Sequence, residues 1–279
     1  MKVLITGAEG QLGKELQIQI NRKDIDIDII KTNHKTLDIS NFEQVKEKLS
    51  LYRPDIIINC AAYTAVDDCE KEIEKAYMNN AIGPKHLAIE ADNINAKLVH
   101  ISTDYVFDGE QKMPKREYDQ TLPKNIYGAS KLLGEEYVKM FCKKFFILRT
   151  AWLYGEGNNF VHTILKLSEK NNELNIVGDQ FGTPTSTKDL AKTIIDLMQT
   201  ECYGTFHATC EGECSWYEFA KKICEIKKID IIINKVTSEQ VIRPAKRPQY
   251  SILDNFMLRL YEMNNFRHWE EALQDYLKG

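Results

Sequence analysis

No stretch of the 279 residues stays apolar for the roughly 18–20 positions that a bilayer crossing requires. Only Val3, Leu4, Ile5 and Thr6 lie between Lys2 and Gly7, so neither an anchor nor a signal peptide is expected. Positive charge is not in excess. Against 41 Asp and Glu stand 37 Lys and Arg, a formal net charge of -4, which leaves no bulk field to recruit a phosphate backbone and excludes a general nucleic-acid partner. Cysteine is present but unorganised: the 7 residues include no CxxC pair, and a chain this long needs no disulfide framework, so a reducing cytoplasm is the expected location. His207, Cys210, Cys214 and Cys224 are zinc-ligand types at spacings that match no knuckle pattern, and no metal is assigned to them. Repeats, low-complexity tracts and Pro/Gly/Ser-rich linkers are also missing, and no proline precedes Pro54. Any domain boundary must therefore come from local pattern.

What is there begins with a strand over residues 2–6, a turn rich in glycine, and a helix carrying Leu12, Leu16 and Ile20 at four-residue spacing. A second strand is expected over 25–31, a helix through Leu51 opened by a capping box of Ser40 and Glu43, and a third strand over 55–60. Helical patterns over 68–79 and 84–93 precede a strand over 97–102, and a helix over 127–141 precedes a strand over 145–151. This alternation predicts an α/β fold, a Rossmann-type doubly wound parallel sheet with crossover helices. Beyond it, short strands over 174–177 and 205–208 alternate with helices over 188–198 and 216–225. We expect a dinucleotide-binding domain over 1–151 and a smaller, mainly substrate-binding lobe over 152–279 that interleaves with it.

Gly7, Gly10 and Gly13 in TGAEGQLG lie between a strand and a helix. Their spacing permits a tight turn and close backbone approach, and the helix N-terminus offers free N–H groups to a pyrophosphate. In YGASK, Tyr127 and Lys131 are four apart and share one helix face. An ammonium beside a phenol favours the phenolate, so this pair predicts a tyrosine able to donate a proton to a developing alkoxide. Upstream, the fourth strand ends in Ser102, Thr103 and Asp104, at the carboxyl edge that lines the ligand crevice of such sheets. An acid often follows the second strand to bind the ribose hydroxyls. Here Asn33 stands there, flanked by Lys31, His34 and Lys35, which predicts that NADPH serves at least as well as NADH.

Together with these, NCAAYTAVD (59–67), STDYVFDG (102–109), PKNIYGASKLLGE (123–135), RTAWLYGEGNNF (149–160), DQFGTPT (179–185) and RPAKRP (243–248) resemble the dTDP-4-dehydrorhamnose reductase family of extended short-chain dehydrogenases/reductases. The resemblance implies NADPH or NADH as cofactor and a sugar nucleotide as substrate. It makes Tyr127 the general acid, Lys131 the holder of the nicotinamide ribose and Thr103 the group that tunes the tyrosine. Gly10, Gln11 and Leu12 would hold the pyrophosphate; Asp38 and Ile39 would flank the adenine; Ala61, Ala62, Tyr63 and Thr64 would line the nicotinamide ribose side. Asp104 and Trp152 would face the sugar, with Lys246 and Arg247 supplying charge to its diphosphate. Some relatives hold a divalent cation between subunits through carboxylates. Glu15 matches one such position, but Lys188 stands where another acid is expected, so metal is left unassigned and the chain is expected to be a monomer or a homodimer. Related dehydratases carry Asp-Glu after the threonine, whereas Asp104 is followed by Tyr105, which favours plain hydride transfer. Two alternatives stay open: reduction of another nucleotide-linked 4-ketosugar, and a non-catalytic role like that of the regulatory subunit of methionine adenosyltransferase, which resembles this family.

Overall fold

A computed structural model describes residues 1–22 and 27–278. The chain starts with strand β1 (Lys2–Thr6), helix α1 (Gln11–Arg22), strand β2 (Asp28–Lys31), helix α2 (Phe42–Tyr52) and strand β3 (Ile56–Asn59). Two short helices, α3 (Val66–Cys69) and α4 (Ile73–Tyr77), follow, then α5 (Gly83–Asn93), β4 (Lys97–Thr103), α6 (Ile126–Phe141) and β5 (Phe145–Thr150). All these strands lie parallel in one sheet of 6, in the order β2, β1, β3, β4, β5 and finally the strand Gly204–His207. The strand order reverses between β1 and β3, which opens the crevice at their carboxyl ends where such sheets bind ligands.

Helices cover both faces, so the strands read as near-continuous apolar runs. Val3, Ile5, Ile56, Ile58, Val99, Phe146 and Leu148 turn to one layer, where Leu12 and Leu16 of α1 meet Leu190 and Ile194. Their alternates Leu4, Ile57, Leu98 and Ile147 turn to the other, against Val45, Leu49, Leu87, Ala91 and Val138. The chain beyond 152 returns to this sheet: the helix Thr187–Leu197 packs on α1, and Gly204–His207 pairs with β5. The remaining strands there are separate short pairs, the longest being Glu173–Val177 with Ile232–Val236.

Several expected boundaries differ. The second strand begins at Asp28, and positions 25 and 26 lie outside the described residues. Helix α2 is capped by Asn41, whose side chain accepts from the Gln44 N–H at 3.1 Å. Ser40 cannot serve, because its hydroxyl and its N–H both go to Asp38 Oδ1. The helix expected over 68–79 is broken into α3 and α4 and then runs through a π-helical turn, Met78–Ile82, into α5. The turn aims Asn80 inward. Its Oδ1 accepts from the Tyr63 N–H at 2.8 Å, while its Nδ2 donates to the Tyr63 carbonyl and the Ser130 hydroxyl. A bulge of this kind re-aims one side chain at the expense of helix regularity, and here it ties the loop after β3 to α6.

Candidate active site

The glycine turn is built by close approach. Gly7 has φ +62, and a Cβ on it would come within 2.8 Å of the Ala61 nitrogen. A Cβ on Gly13 would stand 2.5 Å from the Gly7 carbonyl. Both positions require glycine. Gln11, Leu12 and Gly13 open α1, where N–H groups have no intrahelical acceptors, and all three line the cleft, so the cradle fits a dinucleotide's pyrophosphate. Beneath it, Thr6 Oγ1 donates to Asn59 Oδ1 at 2.7 Å, and the Asn59 amide meets His100 Nδ1 at 3.0 Å, tying the ends of β1 and β3 to the middle of β4.

Helix α6 starts at a defined place because Asn125 caps it, accepting from the Gly128 N–H at 2.7 Å. Tyr127 and Lys131 therefore sit one turn apart, over the end of β4. The expected ammonium–phenol pair is not formed: Lys131 Nζ donates to the Ile101 carbonyl at 2.6 Å. Burial lowers this lysine to about 8. The phenol's helper is Thr103, since burial pushes Tyr127 up and the Thr103 hydroxyl pulls it back. Thr103 Oγ1 itself donates to Asp104 Oδ1 at 2.9 Å. Asp104 is buried, its Oδ2 has no hydrogen-bond partner, and burial raises it to about 6.

Trp152 closes the site from the other side. It holds φ +45, a strained setting for a bulky residue, and its ring stacks on Trp216 at 3.4 Å between centroids with 6° between planes. A cleft of about 440 Å³ brings together Gly7, Gly10, Gln11, Leu12, Gly13, Ala62, Thr64, Thr103, Asp104, Tyr127, Lys131 and Trp152.

Other expected site residues fall outside that cleft. Ile39 is buried against α5 in the second core layer, and Asp38 is engaged with Ser40. Asn33 serves the turn after β2, accepting from the Lys35 and Thr36 N–H groups. Tyr63 turns away: its hydroxyl bonds Glu72 and its ring lies under Lys75, leaving only its backbone toward Asn80. Ala61 offers its backbone N–H to Thr6 Oγ1. Lys246 and Arg247 line a neighbouring cleft of about 410 Å³. Arg247 is not a free cation there, because it grips Asp67 with two bonds of 2.8 and 2.9 Å. That grip holds the Asp67 carboxyl below the usual range despite partial burial.

Sequence reading missed three contributors. Arg243 shares the cleft of Lys246 and also lines, with Arg247, an aromatic recess of about 420 Å³ carrying Tyr105, Phe160 and Trp216. The first letter of RPAKRP was the available signal for Arg243. Trp216 and Asn80 gave none, since each acts through contacts distant in sequence. Among the described residues no group of 3 or more His, Cys, Asp or Glu stands together as a metal site. Glu15 instead accepts from Gln19, and Lys188 pairs with Asp275.

A doubly wound sheet whose glycine turn opens into the same cleft as a threonine, a tyrosine and a lysine defines an NAD(P)H-dependent oxidoreductase of the short-chain dehydrogenase/reductase class. The chain belongs to the family of the RmlD substrate binding domain, whose model matches residues 1–279. It is 46% identical over 278 residues to the spore coat polysaccharide biosynthesis protein SpsK of Bacillus subtilis, covering 99% of this chain and 97% of that one. A solved dTDP-4-dehydrorhamnose reductase from Clostridium acetobutylicum superposes with a TM-score of 0.98 at 49% identity, over 100% of this chain and 99% of that one. The dTDP-4-dehydrorhamnose reductase of Bacillus anthracis in complex with NADP gives 0.96 at 45% identity, over 99% and 98%.

Proposed function

We propose that this protein reduces the 4-keto group of a nucleotide-linked 6-deoxysugar, converting dTDP-4-dehydro-L-rhamnose to dTDP-L-rhamnose. The observation that carries the reading is the placing of Thr103 and Tyr127 in one cleft with the glycine turn. When bound, the reduced nicotinamide supplies the hydride. Tyr127 gives its proton to the oxygen on carbon 4, beside Thr103, whose own hydroxyl proton is held by Asp104 Oδ1. Lys131 holds the nicotinamide ribose, Ala62 and Thr64 line that side, and Gln11 and Leu12 present N–H groups to the pyrophosphate. Trp152 packs against the deoxysugar, and Arg243, Lys246 and Arg247 face the diphosphate. In this reading residues 1–151 bind the cofactor and residues 152–279 mainly the sugar nucleotide. The scattered cysteines, none of them in a CxxC pair, support work in a reducing cytoplasm.

Cofactor oxidation with dTDP-4-dehydro-6-deoxy-L-mannose tests this. Tyr127→Phe keeps the ring and removes the phenolic proton, so turnover should fall by roughly 10²–10⁴ with cofactor binding intact. Near-full turnover in the folded variant would move the proton donor elsewhere.

A further inference from the structure

Dinucleotide sheets commonly read the adenosine ribose with an acid after the second strand. Asn33, which holds that place here, has no acceptor to spare: its Oδ1 takes the N–H groups of Lys35 and Thr36 at 3.0 and 3.1 Å. Its Nδ2 donates to Glu9 Oε1 at 2.6 Å. Glu9 is an exposed residue of the glycine turn itself, between Gly7 and Gly10. The turn thus delivers a carboxylate to the end of β2, where Asn33 pins it. The neighbouring imidazole is drawn elsewhere, His34 Nδ1 lying 3.8 Å from Asp38 Oδ1.

We propose that Glu9 is the cofactor-selecting acid of this chain, its carboxylate accepting the ribose 2′-hydroxyl of NADH and repelling the 2′-phosphate of NADPH. This reverses the expectation drawn from Asn33 and its flanking cations. The acid is not missing; it comes from the first turn instead of the second strand. The carboxylate accepts a charge-assisted bond from a hydroxyl but meets a phosphate as like charge, and each effect separates the two cofactors in the same direction.

Titrating NADH and NADPH into the protein without sugar nucleotide, with nicotinamide fluorescence as readout, tests the assignment. The unaltered protein should bind NADH about tenfold or more tighter than NADPH, the scale of one hydrogen bond to a charged group. Glu9→Gln should close that gap, chiefly by tightening NADPH. Glu9→Gln combined with Asn33→Asp should reopen it, because the acid returns to the strand end. Glu9 is exposed, so these variants should fold, which a circular dichroism melt checks. Equal or tighter NADPH binding by the unaltered protein, or an NADH/NADPH ratio that Glu9→Gln leaves unmoved, overturns the proposal. Loss of all dinucleotide binding in the unaltered protein would overturn the cofactor site as a whole.

Discussion

Lys131 and Asp104 line the cleft of Tyr127 in surroundings that penalise their charge. Folding lowers Lys131 from 10.5 to about 8, so between those values the unfolded chain binds the extra proton and stability rises with pH. Below pH 8 the buried ammonium carries its full cost. Lys131→Met should therefore stabilise the cofactor-free protein at pH 7 by roughly 1–3 kcal/mol in urea unfolding while abolishing most turnover. Asp104 runs the other way. It rises from 3.8 to about 6 on folding, so stability falls as pH climbs through that window. Asp104→Asn should match the unaltered protein near pH 4 and exceed it by roughly 2 kcal/mol at pH 7, with the gap opening between. Equal unfolding midpoints at both pH values would show that Asp104 titrates as if exposed. Tyr127, Lys131 and Thr103 were legible because four-residue spacing and a strand end are local facts. The Ile101 carbonyl that takes Lys131, and the Asp104 carboxylate that takes Thr103, were not, because backbone acceptors and rotamers leave no mark in the sequence.

At the scale of elements, the π-helical turn Met78–Ile82 does what a regular helix could not, since it presents Asn80 to both ends of the Tyr63 backbone and to Ser130. Asn80→Ala leaves the part-buried Tyr63 N–H without its partner and the Tyr63 carbonyl with only the Cys69 thiol at 3.8 Å. Stability should drop by about 1–3 kcal/mol, and the KM for the cofactor should rise because the loop carrying Ala62 and Thr64 loses its tie. Unchanged KM in a destabilised variant would confine Asn80 to a purely structural role. The elements themselves were largely readable, since parallel strands buried on both faces, such as β3, appear as unbroken isoleucine runs. Caps and breaks were harder. Ser40 and Asn41 are both cap residue types, and only the folded loop, in which Asp38 takes the Ser40 hydroxyl, decides in favour of Asn41.

Across the whole molecule, Arg247 and Asp67 join the two halves of the chain beside the aromatic recess. Arg247→Ala should raise the KM for the sugar nucleotide and spare that for the cofactor; equal losses for both would mark the pair as a brace for the whole fold. The order of the sheet carries a further consequence. Its sixth strand, Gly204–His207, belongs to the late part of the chain, yet it covers β5. During synthesis the nascent protein must hold β5 as an open edge, able to pair with a neighbour, until that segment leaves the ribosome. Residues 1–151 made alone should therefore aggregate and lack a cooperative melt, and supplying 152–279 during synthesis should rescue them.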